Sequence, residues 1–227
     1  MAGIELKDIS KVYSTKNYEV EALKDVDLLV EPGSSLAIVG PSGSGKSTLL
    51  KIIGLLETPT RGSVFLDGED VSGLNDSRRS RLRNEMFGYV VQDFAIIEDD
   101  TVYQNIIVPL KYSKKYKRAQ WRELVDRYAS MLGIGDLLRR KAGVLSGGEK
   151  QRVAIARAMV CGQPVILADE PTGSLDAENR GTVIQLLMDL VREEGKTLII
   201  VTHDETIADL CDRKLELRNG TIERQTG

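Results

Sequence analysis

The sequence predicts an α/β fold with a mostly parallel sheet at its core, an N-terminal antiparallel β subdomain and an inserted α-helical subdomain. Three observations predict it. The apolar run Ser35-Leu36-Ala37-Ile38-Val39 leads through a loop rich in glycine and serine into Thr48-Leu49-Leu50-Lys51-Ile52-Ile53, which carries a helical apolar stripe. From Ser146 onward, strand-length apolar runs alternate with longer helical patterns, the arrangement of a parallel sheet with crossover helices. Between Asp93 and Leu145 helical patterns alone prevail, which marks an insert at about residues 93–146 of one 227-residue domain.

Taken in order, Ile4, Leu6 and Ile9 approximate a strand alternation, and a second extended stretch from Val20 to Val30 ends at Pro32-Gly33. After the glycine-rich loop and its helix, Thr58-Pro59-Thr60-Arg61-Gly62 is a break, and Val64-Phe65-Leu66 before Asp67-Gly68 is a strand and its turn. The highly charged Asn75 to Glu85 reads as a solvated helix, and Phe87 to Gln92 as a strand. The insert should hold helices at Val102 to Leu110, Arg118 to Leu132 and Asp136 to Lys141. The basic connector KYSKKYKR, residues 111–118, is expected to be a solvated loop; a minor role near anionic lipid headgroups is the alternative that its charge allows. Beyond it come a helix from Glu149 to Val160, a strand from Val165 to Ala168, and a helix from Ala177 to Glu194 closed by Gly195. Thr197 to Val201 is a buried strand, and residues 215–222 form a hairpin on Asn219-Gly220.

The loop Gly40-Pro41-Ser42-Gly43-Ser44-Gly45-Lys46-Ser47-Thr48 fits the phosphate-loop pattern, with Gly40, Gly45, Lys46 and Ser47 at its fixed positions. A triphosphate packs several negative charges into a small volume. Successive backbone N–H groups can wrap it where side chains do not intrude. Lys46 supplies a mobile positive charge, and Ser47 a hydroxyl for Mg²⁺, a cation that prefers oxygen ligands. With a strand before and a helix after, the helix N-terminus points at the phosphates. A P-loop NTPase core follows, with ATP and Mg²⁺ as its expected ligands.

Val165-Ile166-Leu167-Ala168-Asp169-Glu170 is an apolar strand ending in two carboxylates, and the C-terminal ends of parallel strands face the ligand crevice. Asp169 can hold Mg²⁺ through its waters, while Glu170 points elsewhere and can polarise an attacking water. His203 and Gln92 each follow a strand. His203 can meet a terminal phosphate, and Gln92 offers an amide oxygen to Mg²⁺ or water. Spacing alone leaves a structural role open for both.

Composition bounds the rest. The 34 acidic residues against 31 Lys and Arg give a net charge of −3, which argues against a general nucleic-acid binder. The single histidine excludes a polyhistidine metal site, and Cys161 and Cys211 lack metal or disulfide spacing. No apolar run approaches bilayer-spanning length, and MAGIELKDIS is no signal peptide, so residence in the cytoplasm is expected.

Leu145-Ser146-Gly147-Gly148-Glu149-Lys150-Gln151-Arg152 resembles the signature motif of the ATP-binding-cassette ATPases, and the resemblance covers nearly the whole chain. By residue chemistry Ser146 and Glu149 also form a capping box. In that family the signature meets the nucleotide held by a second subunit, so the resemblance implies a head-to-tail homodimer with ATP sandwiched at two sites. It further implies that Tyr13 stacks on adenine and that Ser146, Gly147, Gly148 and Glu149 contact nucleotide. Ser174-Leu175-Asp176 would cross the dimer seam, Asp169 serve Mg²⁺ with Ser47 and Gln92, Glu170 be the catalytic glutamate and His203 the γ-phosphate switch.

ADEPTGSLD and GLLETPTRGSVFLDGEDV resemble the group serving macrolide, lipoprotein, antimicrobial-peptide and bacteriocin transporters, and the acidic FAIIEDDTVYQNI leans toward peptide or bacteriocin export. Val91, where the group often has Phe, and Ala142-Gly143-Val144, where a Pro-containing run is common, depart from it. An integral membrane permease would dock near Phe94, Ile96, Ile97 and Val102, holding the chain at the cytoplasmic face of the membrane with no lipid contact of its own. The alternative is a mechanotransmitter that drives an extracytoplasmic enzyme or sensor without cargo. Soluble cassette proteins of translation or repair usually carry two cassettes or added modules. A purely regulatory nucleotide binder is disfavoured by the presence of both Glu170 and His203.

Overall fold

The computed structural model describes residues 3–15 and 18–227. Met1 and Ala2, part of the stretch read as no signal peptide, lie outside the described residues. Two sheets form the scaffold. The first is antiparallel: β1 (Ile4–Ser14) lies between β2 (Glu19–Val30) and β4 (Arg61–Leu66), with the short β5 (Glu69–Asp70) at its edge. The second has the order β10-β9-β3-β8-β7-β6. Its strands β6 (Phe87–Val91), β7 (Val165–Asp169), β8 (Thr197–Val201), β3 (Ser35–Val39) and β9 (Arg213–Arg218) run parallel, and β10 (Thr221–Thr226) closes an antiparallel hairpin.

The central parallel strands β3, β7 and β8 are almost wholly apolar because both faces of their sheet are covered. Leu36, Ile38, Val165, Leu167, Ile199 and Val201 pack with α1 (Lys46–Ile53) and the antiparallel sheet. The alternate residues Ala37, Val39, Ile166, Ala168, Leu198 and Ile200 pack with α6 (Gly147–Met159), α7 (Ala177–Glu194) and the insert. α2 (Asp76–Met86) buries no residue, as its charge predicts; Asn75 caps it by accepting from the Arg78 N–H at 3.0 Å. α7 ends at Gly195, whose φ of 60° needs no Cβ.

The insert departs from expectation in three places. Residues 102–110 make two short helices, α3 (Val102–Ile106) and α4 (Val108–Tyr112), because Pro109 has no N–H to continue the ladder. The helix expected at Asp136 to Lys141 is absent: a 3-10 turn spans Gly135–Leu137 and another Ala142–Val144. There the Leu138 and Arg140 carbonyls accept from the Tyr103 and Val102 N–H groups at 3.0 Å each, satisfying the start of α3 instead of a helix of their own. Arg118 to Leu132 resolves into a 3-10 turn and α5 (Trp121–Met131). Val102 is fully buried, so it cannot line a docking groove with Phe94, Ile96 and Ile97. The apolar groove of about 550 Å³ beside the insert is walled by Tyr89, Val91, Ala95, Val108, Pro109 and Tyr112 and not by Phe94, Ile96 or Ile97; Phe94 and Ile96 pack against the core instead. A short helix, α8 (Glu205–Ala208), follows β8.

Asp212 ties the start of β9 to β3. Its carboxylate accepts from the Ser35 hydroxyl at 2.7 Å and the Ser35 N–H at 2.8 Å, and its own N–H donates to Ser35 Oγ at 2.8 Å. The hydroxyl bond, then the backbone one, holds the Asp212 carboxyl below the usual carboxylate range. The unfolded chain therefore takes up this proton first on acidification. The stabilisation is complete above about pH 4 and fades as the pH falls further. Asp212→Asn should cost on the order of 1 kcal/mol at pH 7, solvent screening included. Thermal melts of variant and parent should draw together as the pH is lowered below about 4.

Candidate active site

The parallel strands β3, β8 and β7 end side by side, and the loops that leave them build one cleft of about 740 Å³. From β3 the chain enters the phosphate loop, where Gly40, Gly43 and Gly45 have φ of 143°, 77° and 104°. Two of them are also needed for space: a Cβ on Gly40 would strike the Leu217 carbonyl, and one on Gly45 the Ala22 carbonyl. Gly45 caps α1 without any side-chain bond, so no side chain competes for the first amides of that helix. Lys46 Nζ donates to the Gly40 and Pro41 carbonyls at 2.9 and 2.8 Å, folding its charge back over the loop. Ser44 Oγ is buried and finds no partner.

Ser47, one residue into α1, reaches across the end of β8 to donate to Asp169 Oδ1 at 3.2 Å. A hydroxyl and a carboxylate oxygen so placed fit a hard cation that takes its remaining ligands from water and phosphate. Among the described residues no group of three His, Cys, Asp or Glu side chains could hold a metal unaided. Glu170 follows with φ 47°, a left-handed turn, and lines the cleft beside Asp169. The turn is held by the Glu170 N–H donating to the Val201 carbonyl at 2.9 Å and the Gly173 N–H donating to the Glu170 carbonyl at 3.1 Å. His203, just past β8, places Nδ1 2.9 Å from Glu170 Oε2. Gln92, past β6, lines an adjoining depression with Ser47, Asp169, Glu170 and Ser174, and the Ser174 hydroxyl donates to the Gln92 carbonyl at 3.1 Å.

Thus the phosphate loop, Asp169, Glu170 and His203 converge, with Gln92 beside them. Others do not join them. Tyr13 lies outside the cleft lining, although its cross-strand partner Val20 is part of it; the Lys11 ammonium sits 5.0 Å from the Tyr13 ring centroid. Ser146, Gly147, Gly148, Glu149 and Asp176 also lie outside it.

Those five form a second, separate cluster at the N-termini of α6 and α7. Ser146 caps α6 by accepting from the Glu149 N–H at 3.3 Å, and it donates to Glu149 Oε2 through its own N–H at 2.8 Å and its hydroxyl at 2.9 Å. These bonds, the backbone one first, hold the Glu149 carboxyl below its ordinary range. Asp176 caps α7 by accepting from the Asn179 N–H at 2.9 Å, which lowers its carboxyl likewise, and it also grips the Asn179 side chain. Asn179 in turn fills the space a Cβ on Gly148 would need. The signature glycine therefore has a packing role inside one chain.

Sequence reasoning missed part of the cleft wall. Val20, Glu21, Ala22 and Lys24 of β2 and the hairpin tip Asn219-Gly220 line it. The Asn-Gly pair signalled a turn, but nothing local signalled that the Gly220 N–H donates to the Ser44 carbonyl at 3.1 Å.

Comparison with known proteins places this geometry. The family model described as ABC transporter matches residues 23–173. The macrolide export ATP-binding/permease protein MacB of Shewanella sp. (strain W3-18-1) is 41% identical over 99% of this chain and 35% of its own length. MacB of Brucella melitensis biotype 1 is 42% identical over 98% of this chain and 34% of its own length. The chain spans about a third of the length of these curated relatives. Among solved structures, the dimeric structure of MJ0796, a bacterial ABC transporter cassette, superposes with a TM-score of 0.89 at 38% identity, covering 98% of this chain and 97% of that one. A post-hydrolysis dimer of the same cassette bound to ADP and Pi gives 0.90 at 37% identity, with the same coverage of both chains.

Proposed function

This chain belongs to the ABC transporter family, and from that premise we propose that it is a single ATPase domain, helical subdomain at about 93–146, that binds and hydrolyses ATP to drive export through a membrane permease. The observation that carries the reading is the division just described. Phosphate loop, Asp169, Glu170 and His203 meet in one cleft, while the signature residues cap a helix elsewhere on the same chain. A site that uses both needs a second copy, arranged head to tail. The two cassette structures are named as dimeric.

In this reading the loop amides and Lys46 bind the phosphates, and Tyr13 stacks on the base. Mg²⁺, held by Ser47, Asp169 and Gln92 when bound, supplies charge neutralisation on the phosphates. Glu170 orients the water and accepts its proton. With Nδ1 engaged by Glu170, His203 has Nε2 left to meet the terminal phosphate. Ser146, Gly147, Gly148 and Glu149 of the second copy close on that phosphate, and Asp176 lies along the seam. Loss of the phosphate on hydrolysis removes the contact that favoured closure, so the nucleotide biases a two-state assembly.

The apolar groove beside the insert is where we place the permease segment, which would hold the domain at the cytoplasmic face of the membrane. Peptide, drug or lipid-like cargo suits the export group, whose relatives above are named for macrolide export.

The test is the concentration dependence of ATP turnover. Because the site is completed by a second copy, phosphate release per chain should rise with protein concentration and then level off. Turnover per chain that stays constant down to nanomolar protein would contradict the two-copy site.

A further inference from the structure

Arg157 lies in the last turn of α6, far along the helix from the signature at its start. Its guanidinium donates to the Ala95 carbonyl through Nη1 at 2.5 Å and to the Phe94 carbonyl through Nη2 at 2.7 Å. Both residues are left-handed, with φ of 46° and 61°, a strained conformation for side chains with a Cβ. Burial lowers the Arg157 pKa, and the nearby Asp93 carboxylate opposes that shift. A guanidinium that donates to two consecutive carbonyls is a forked clamp, and the strained turn is the shape that presents both oxygens to it. The turn begins two residues after Gln92, whose own carbonyl Ser174 holds from the other side. Arg157 also forms part of the wall of the apolar groove.

We infer that Arg157 is a positioning residue: by clamping the Phe94-Ala95 turn it sets Gln92 against Ser47, Asp169 and Glu170, and it links the signature helix and the groove to that glutamine. The inference rests on the proposed role of Gln92. The same helix grips the other loop of the site, since the buried Gln151 donates to the Pro171 carbonyl at 2.5 Å, one residue beyond Glu170. α6 is thereby fastened to both loops that flank the reacting phosphate. A displacement of α6 on closure moves them with it.

The experiment is a double-mutant cycle on the purified full chain, reading Mg-ATP turnover and, separately, ATP binding in EDTA. Arg157→Gln should lower kcat about tenfold or more, since misplacing a positioned group costs rate steeply, with metal-free ATP affinity changed less than about threefold. Arg157→Lys, which can reach one carbonyl well but not two in a fork, should recover only part of the rate. Gln92→Ala combined with Arg157→Gln should be no slower than Gln92→Ala alone, because the arginine acts through the glutamine. Multiplicative losses in the double variant, or full turnover in Arg157→Gln while Gln92→Ala is slow, would overturn the inference. Full turnover in Gln92→Ala would overturn the Gln92 reading itself. Should Arg157→Gln not fold, the cycle with Arg157→Lys carries the same non-additivity requirement.

Discussion

Glu170→Gln should slow ATP hydrolysis by about 10²- to 10⁴-fold, the usual worth of a positioned general base, while ATP still binds. The substitution is nearly isosteric and leaves the main-chain bonds of the Glu170 turn intact, because the N–H to Val201 and the carbonyl to Gly173 belong to the backbone. What is lost is a carboxylate that can take a proton from water. The phosphate loop, Ser47 and Asp169 keep their own groups, so nucleotide affinity should stay within about threefold of the parent, since a group that acts on the attacking water contributes to turnover and not to ground-state binding. Phosphate release and binding of a fluorescent ATP analogue read the two quantities independently. Turnover at the parental rate would remove Glu170 from its assigned role.

Lys46→Ala should weaken ATP binding by about 10- to 100-fold, the worth of a charge-assisted hydrogen bond expressed as an affinity ratio. The unliganded fold should barely notice the change. Lys46 bonds only to the Gly40 and Pro41 carbonyls of its own loop, and both of those residues retain access to solvent, which can replace it. A nucleotide titration beside a thermal melt tests both halves. Unchanged affinity would mean that the ammonium stays on its own carbonyls and does not reach the phosphates.

The contrast between these two sites and the rest of the molecule explains what could be read from sequence. The phosphate loop, the carboxylates ending β7 and the Asn219-Gly220 hairpin each carry a local signal in residue type and spacing, although distant partners such as the Val201 and Ser44 carbonyls hold them in place. The sheet strands were legible for a different reason, since burial on both faces leaves continuous apolar runs at β3 and β8. Long-range partners were not legible. Nothing near Leu66 announces that it pairs with Ile4 across β1 and β4. Nothing near Val20 announces a place on the cleft wall. The residues 136–141 have a helical pattern, yet their carbonyls go to the start of α3, a choice made by packing. The exclusion of Val102 from the docking surface follows from the same packing, because an apolar residue serves a core as readily as a groove. The two separate site clusters carry the same lesson further: each gathers short motifs that are far apart in sequence, and only the fold places the two clusters apart on one chain.

The most direct test of the two-copy site is the mass of the Glu170→Gln chain by sedimentation velocity, with and without ATP. Slowed hydrolysis should trap the closed state, so the chain of 25.1 kDa should sediment as one copy without nucleotide and as two copies with ATP. A single-copy mass at saturating ATP, with binding confirmed in the same sample, would contradict the composite site and with it the proposed cycle.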